Sequence, residues 1–276
     1  SRGGKVAPMD TYDCIVIGGG AGGLVSAARM SRAGRRVLVL EGADRLGGCI
    51  HTWRPRADFW LELGAHTAYN SYAPLLEALS DRGRLGDLLT REKLGYRFFE
   101  PDGSTASPMK RLSFLEAAVS IPFGLGKAKP GRSVAEWFGG LLGKGNYRRL
   151  LSPAFAAVLS QPADAFPAEW LFRRKPRMKA APRKFTFPGG LQGLLEALAR
   201  DAPFETRLGV PVQGLARAQA GFTVRTPDGE LGARQLVLAL PVDAAAVLLE
   251  GVDPDLARPL ATFPMSSSEA LGVVLE

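Results

Sequence analysis

Gly18, Gly20 and Gly23 fall in a G-x-G-x-x-G frame, and Glu41 follows them at the spacing of about 20 residues that suits a sugar-binding acid. The glycines act through what they lack. A tight turn at Gly18 needs a residue without Cβ, a phosphate can come against main chain only past a bare Gly20, and a helix packs closely on a strand only with Gly23 at the contact. Ala21, Gly22 and Gly23 open a helix whose first N–H groups have no acceptor within it, so they present donors and a positive dipole end to an anion. A carboxylate at Glu41 accepts ribose hydroxyls and disfavours a 2′-phosphate. Together these residues suit an adenine dinucleotide other than NADP.

That reading holds only if a strand precedes the glycines and a helix follows them. "DCIVIG" (13–18) is a short apolar run ending in glycine, the pattern of a fully buried parallel strand. "AGGLVSAARMSRAG" then carries Leu24, Ala27, Ala28 and Met30 at helical spacing and stops at Gly34, a natural C-cap. "RRVLVLE" is a second strand that delivers Glu41 at its end. The order is β, α, β.

Beyond Glu41 the sequence runs "EGADRLGGCIHTW", with Arg45, Gly47 and Gly48. A second close backbone approach and a cation suit a ligand that continues past the ribose, whereas a plain NAD enzyme usually enters its next helix there. Glu41, Arg45, Gly47 and Gly48 form ExxxRxGG, which resembles the FAD signature of the amine oxidase superfamily of flavoproteins. Three later stretches resemble the same family. They are "FWLELGAHT" (59–67), "FPGGLQGLLEALA" (187–199) and "VPVQGLARAQAGFTVRTPDGELGARQLVLALP" (210–241), the last reading as a β-meander. "LVLALPVDAAAVLL" and "PGGL" are most similar to its protoporphyrinogen-oxidase-like branch.

The resemblance implies noncovalent FAD and extends the set of contacts. Gly42 adjoins the ribose acid, Leu63, Gly64, Ala65 and His66 form a turn beside the flavin, Val212 meets the adenine, and Ala239 lies under the ring. Cys49 stands where the family often has an arginine that contacts phosphate. No catalytic residue is assigned. The candidates are His66 and His51, either of which could tune the flavin, take a proton or make an ordinary loop hydrogen bond. No cluster has metal-ligand spacing, and no GxSxG element supports nucleophilic hydrolysis.

The expected fold is α/β: a Rossmann-like FAD-binding domain with a β-meander, plus a substrate domain with a helical cap. Residues 1–11 read as a flexible leader, 12–98 as the first part of the FAD-binding domain, 99–184 as the helical cap and 185–245 as the second part of the FAD-binding domain. Residues 246–276 read as the start of a substrate-domain sheet, ending within a strand in "EALGVVLE". In the cap, Trp137 and Phe138 are either packed core or part of an interfacial insertion with "SIPFGLG" (120–126). Family members continue well past a position like Glu276, so the resemblance implies a second polypeptide that completes the flavin site, a fragment of a longer chain, or a shortened enzyme, the first being favoured.

Composition bounds the rest. A chain of 276 residues that is 46% hydrophobic and 22% charged can bury a real core. No apolar run approaches the roughly 18 residues of a membrane span. Two cysteines give no disulfide framework, which favours the cytoplasm, with peripheral membrane contact left open. The net charge is +8, and the densest basic run, "RRKPRMKAAPRK" (173–184), has no interleaved aromatic to stack bases, so nucleic acid is not an expected partner. The activity expected is an FAD-dependent oxidase or dehydrogenase that takes a hydride from an apolar amine, a porphyrinogen-like compound or a polyene, with reoxidation by dioxygen or a quinone. Its rivals are a noncatalytic FAD-binding subunit and an NAD-dependent dehydrogenase.

Overall fold

The computed structural model describes residues 10–93 and 95–274. They form two compact units. One holds the described residues up to Arg91, Pro176–Met265 and those from Glu269 on; the other holds Glu92–Lys175 with Ser266–Ser268. Most of the expected leader lies outside the described residues, and Thr11 already belongs to the first strand.

In the first unit, β1 (Thr11–Ile17), α1 (Ala21–Arg32) and β2 (Val37–Leu40) make the expected crossover, with β1 and β2 parallel. Alternation along β1 sends Cys14 and Val16 to one face of the sheet and Ile15 and Ile17 to the other, and each face has its own apolar cluster. Ile15, Val16, Leu38 and Val39 are fully buried, and burying each such side chain stabilises by about 1.5–3 kcal/mol. A hairpin follows, β3 (Thr52–Arg56) and β4 (Phe59–Glu62), then β5 (Ala68–Tyr69), α2 (Ala73–Ser80) and β6 (Leu89–Thr90).

The second unit opens with a two-stranded ladder, β7 (Phe98–Phe99) and β8 (Thr105–Ala106). Three longer helices follow: α3 (Phe114–Gly124), α4 (Val134–Leu142) and, after the single turn α5 (Lys144–Asn146), α6 (Ser152–Leu159). Ser133 and Glu136 close a capping box on α4. The stretch "MKRLSFLEAAVSI" is not one helix. Ser107 and Ser113 each cap a new start, so residues 108–111 form a 3₁₀ turn before α3. Similarly, Tyr147–Leu151 is a π turn, and Pro153, just inside α6, brings no N–H to the ladder.

Val134, Tyr147, Phe155 and Leu171 centre this unit's core, with Trp137 and Phe138 packed against it; Phe138 lies 4.8 Å from the Phe155 ring. Of the two readings left open for Trp137 and Phe138, the structure takes packing. The buried Tyr147 hydroxyl donates to Asp164 at 2.6 Å, and burial first, then that bond, pushes its pKa up to about 12 from 10.0. A raised folded-state value means a contribution that is complete below pH 10 and lost as pH rises through 12. Unfolding free energy is therefore expected to fall over that window, and Tyr147→Phe to flatten the fall; denaturant melts at stepped alkaline pH check this.

Back in the first unit, β9 (Lys184–Thr186) joins β5 and β6 in a small sheet, and α7 (Leu191–Asp201) packs on α1. Next come β10 (Glu205–Arg207), the meander β11 (Gly214–Ala218), β12 (Gly221–Thr226) and β13 (Gly229–Leu238), and the helices α8 (Val242–Leu249) and α9 (Pro254–Ala261). The main sheet runs β10-β2-β1-β13-β12-β11. Its inner strands are parallel, and β13 changes partner midway: residues 229–233 pair antiparallel with β12, residues 232–238 parallel with β1. At the far end of the sheet from the glycine turn, the Tyr12 hydroxyl lies 2.7 Å from the Glu205 carboxylate and accepts from Arg207 at 3.0 Å, tying β1 to β10.

The compact units divide near residues 91 and 175, because the short β6 and β9 pair within the first unit, which helical periodicity cannot reveal. One expectation needs correction. The sheet expected over 246–276 does not form among the described residues. Asp253 caps α9 with Pro254 in its first turn, and residues 264–274 carry no regular structure because no described strand pairs with them.

Candidate functional site: two joined glycine turns

Gly18 and Gly23 are required by the fold for different reasons. Gly18 sits at φ +108, and a Cβ there would lie 2.4 Å from the Ala239 carbonyl oxygen. A Cβ on Gly23 would lie 2.0 Å from the Gly18 carbonyl oxygen, so α1 rests directly on the strand end. Gly20 differs: its φ of −75 suits any residue, and the nearest atom to a Cβ there is the Gly47 carbonyl oxygen at 3.9 Å. The protein's own packing therefore does not require glycine at position 20. Gly20 is also the N-cap of α1 and provides no side-chain bond, which leaves the first N–H groups, from Ala21 to Gly23, without a side-chain acceptor among the described residues.

The second turn lies against the first. Gly47 N–H donates to the Gly19 carbonyl at 2.9 Å, Gly20 and Gly47 form a parallel bridge, and a Cβ on Gly48 would come 3.5 Å from Gly20 Cα. Arg45 holds this turn from inside, donating to the carbonyls of Gly48 at 3.0 Å and Ile50 at 3.2 Å. Its guanidinium is engaged with main chain, so its first role is to shape the loop. Glu41 joins both segments: one carboxylate oxygen accepts from Gly19 N–H at 2.6 Å, the other from Ala43 N–H at 2.9 Å. Each oxygen keeps a further lone pair. Gly42 packs on Pro211, next to Val212, which leans on the apolar cluster of the β1 face.

The hairpin extends the site. Ala65 N–H donates to the Cys49 carbonyl at 3.1 Å and Leu63 N–H to the His51 carbonyl at 2.8 Å, so 49–51 and 63–65 run side by side. Gly64 must be glycine, since a Cβ would lie 1.8 Å from the Cys49 carbonyl oxygen. Cys49, Gly64, Ala65 and His66 are exposed, His51 is half-buried, and neither imidazole has a hydrogen-bond partner among the described residues. Ala239 lies at the sheet end, its N–H on the Ile17 carbonyl and its own carbonyl under Gly18.

Sequence reasoning missed residues that hold the site together. Gly19 sits inside the glycine frame but outside its spacing rule, yet it makes the bond to Glu41, and a Cβ there would strike the Leu46 side chain at 2.7 Å. Thr52 and Glu62 were also missed. The Thr52 hydroxyl donates to Glu62 at 2.7 Å and accepts from Gln192 N–H at 3.1 Å, while Glu62 accepts from Leu191 N–H at 2.7 Å. A carboxylate at the start of α7 thus anchors the hairpin on that helix. Gly190 opens α7 without a side-chain cap of its own, and Glu62 takes that place.

The model of the family described as flavin containing amine oxidoreductase matches residues 21–274. The chain belongs to that family. Among curated relatives, (S)-6-hydroxynicotine oxidase of Paenarthrobacter nicotinovorans is 25% identical over 263 residues, covering 84% of this chain and 60% of that protein. Pseudooxynicotine dehydrogenase of Pseudomonas sp is 23% identical over 272 residues, covering 87% of this chain and 54% of that protein. A proposed protoporphyrinogen oxidase from Exiguobacterium sp. 255-15 superposes with a TM-score of 0.65 at 19% identity, over 90% of this chain and 63% of that one, which shows the shared fold. The chain therefore spans 54–63% of the length of these three proteins. Membership implies FAD, and the residues present fit it: an uncapped helix N-terminus, a Cβ-free approach at Gly20, and an acid at the end of β2. The NAD-dependent alternative gives way to a flavin.

Proposed function

We propose that this chain carries the dinucleotide-binding part of an FAD-dependent oxidoreductase whose substrate is an apolar amine, a porphyrinogen-like compound or a polyene. The junction of the two glycine turns supports it most directly, because Gly20 and Gly22 face open space while Gly18, Gly19 and Gly23 are closed off by their neighbours. Gly18, Gly20, Ala21, Gly22 and Gly23 then hold the diphosphate, and Glu41 with Gly42 holds the ribose. Arg45, Gly47, Gly48 and Cys49 border the path toward the ring, Leu63, Gly64, Ala65, His66 and Ala239 lie along the ring, and Val212 meets the adenine. FAD, when bound, supplies the redox chemistry by accepting a hydride at N5 and passing electrons to dioxygen or a quinone. The protein binds and orients it and keeps water away, and His66 or His51 could hold a proton at an imidazole nitrogen.

Visible absorption of the purified protein and of its native assembly, followed by anaerobic titration with an amine, a porphyrinogen and a polyene, tests the reading. Loss of the flavin band with one substrate class supports it. A yellow assembly that none of the three bleaches leaves only the noncatalytic FAD-binding subunit.

Membrane contact is the second part of the proposal. Among the described residues no helix is long and apolar enough to cross a membrane. In the second unit, however, Phe114, Leu115, Val119, Phe123 and Leu125 are 60–77% exposed along and just past α3, with Lys127 and Lys129 following. An apolar face beside cations suits the surface of an anionic bilayer. Phe123→Glu is expected to lower partitioning onto phosphatidylserine vesicles by about tenfold or more. Equal sedimentation of both forms with vesicles would discard the contact.

A further inference from the structure

The first unit contains a cavity of about 480 Å³ that the dinucleotide reading does not use. Leu215, Phe222, Leu236 and Leu238 form its floor on the meander, and α8 and α9 cover it with Ala245, Leu249, Leu256 and Leu260 among others. Every lining residue is apolar. Packed interiors leave few voids larger than a water molecule, and sites for small apolar ligands run from about 300 to 1,000 Å³. This volume falls within that range. The cavity is open to solvent on one side, and its apolar walls offer a hydrocarbon chain more contact than they offer ordered water.

The mouth carries one polar feature. Leu256 is 48% exposed and marks the opening. Arg217 is exposed beside it, its Nε donating to the carbonyl of the lining residue Val252 at 3.1 Å and its guanidinium 5.6 Å from the ring of the lining residue Phe222. Among the described residues Arg217 makes no ion pair. The nearby acids are engaged elsewhere: Asp253 caps α9 through Leu256 N–H, and Asp255 pairs with Arg258. A guanidinium whose remaining N–H groups are uncommitted, at the lip of an aliphatic cavity, matches a ligand with a carboxylate head and a hydrocarbon tail.

We infer that this cavity binds a long-chain carboxylate, with the chain between the meander and the α8–α9 pair and the head on Arg217. The cavity adjoins the first glycine turn, since its lining residue Leu240 lies 3.3 Å from the position of a Cβ on Gly18, but none of its lining residues belongs to the proposed dinucleotide contacts. It is tested with cis-parinaric acid as the fluorescent probe on the full chain, palmitate as competitor and methyl palmitate as the uncharged control, all below their aggregation limits. Saturable binding of one acid per chain is expected, with the ester weaker. Arg217→Gln should weaken palmitate about tenfold, the worth of a charge-assisted bond, and leave the ester unchanged. Leu256→Glu, at an exposed position, should weaken the acid further by placing a like charge at the opening. Near-ultraviolet circular dichroism confirms that both variants are folded. Absence of saturable binding overturns the inference, as does equal binding of acid and ester together with an inert Arg217→Gln. Native mass spectrometry that finds a second polypeptide seated there, with the probe excluded, also overturns it.

Discussion

Gly23→Ala is expected to unfold the first unit at a markedly lower temperature, while Gly20→Ala keeps the fold and loses the cofactor. A methyl group at position 23 would lie 2.0 Å from the Gly18 carbonyl oxygen and 3.2 Å from Ala239 Cβ. Neither neighbour is the flexible tip of a long side chain, so α1 must lift off the strand end to make room. Overpacking costs about 1–3 kcal/mol where side chains can adjust, and more where main chain must move. At about 3 kcal/mol, the thermal midpoint drops by roughly 10 °C. At Gly20 the same methyl meets no protein atom closer than 3.9 Å, and the extended backbone accepts alanine without strain. The methyl fills instead the approach that a diphosphate needs, and FAD affinity is expected to fall by about 100-fold, the worth of two displaced backbone contacts. Thermal melts of cofactor-free protein separate the two variants, and flavin retained through gel filtration reports binding. Equal melting points for Gly23→Ala and Gly20→Ala would refute this division of labour.

Glu41→Ala is expected to weaken FAD binding by about 10- to 100-fold, because a hydrogen bond to a charged group is worth about 1.5–3 kcal/mol. The variant loses twice. The ribose loses its acceptor, and Gly19 N–H, now 2.6 Å from the carboxylate, loses the partner that fixes the first turn. Glu41→Gln is the informative comparison, since its amide oxygen can still accept from one of the two N–H groups that Glu41 now holds. It is expected to recover part of the affinity and most of the thermal stability. Flavin titration by fluorescence quenching measures the first, and melts measure the second. Wild-type affinity in Glu41→Ala would remove Glu41 from the site.

The crossover was legible because its physics is local. A run of buried residues, a glycine turn and a helix with one apolar face follow one another within 40 residues, and β1, α1 and β2 lie where that pattern puts them. The meander was equally open to reading, with "GFTVRT" becoming β12 residue for residue. What the sequence concealed depends on long-range pairing. The short β6 and β9 carry too few residues for any periodicity, and their pairing moves the unit boundary. Arg45 illustrates the same limit within the site. Its charge suggests a ligand contact, and its bonds to the carbonyls of Gly48 and Ile50 add a loop-shaping role that spacing could not reveal. The start of α9 could have been read, since Asp253 and Pro254 are an ordinary opening pair.

The bond from Gly47 to Gly19, with Arg45 and Glu41 on either side of it, means that the crevice is preorganised by the protein alone. Fixing a free residue costs about 1–2 kcal/mol, and a loop of several residues ordered only on arrival of a ligand would consume much of the available affinity. Here that entropy is settled during folding. Capture of the dinucleotide can then proceed as near-rigid docking, with an association rate set by diffusion and orientation and not by loop closure.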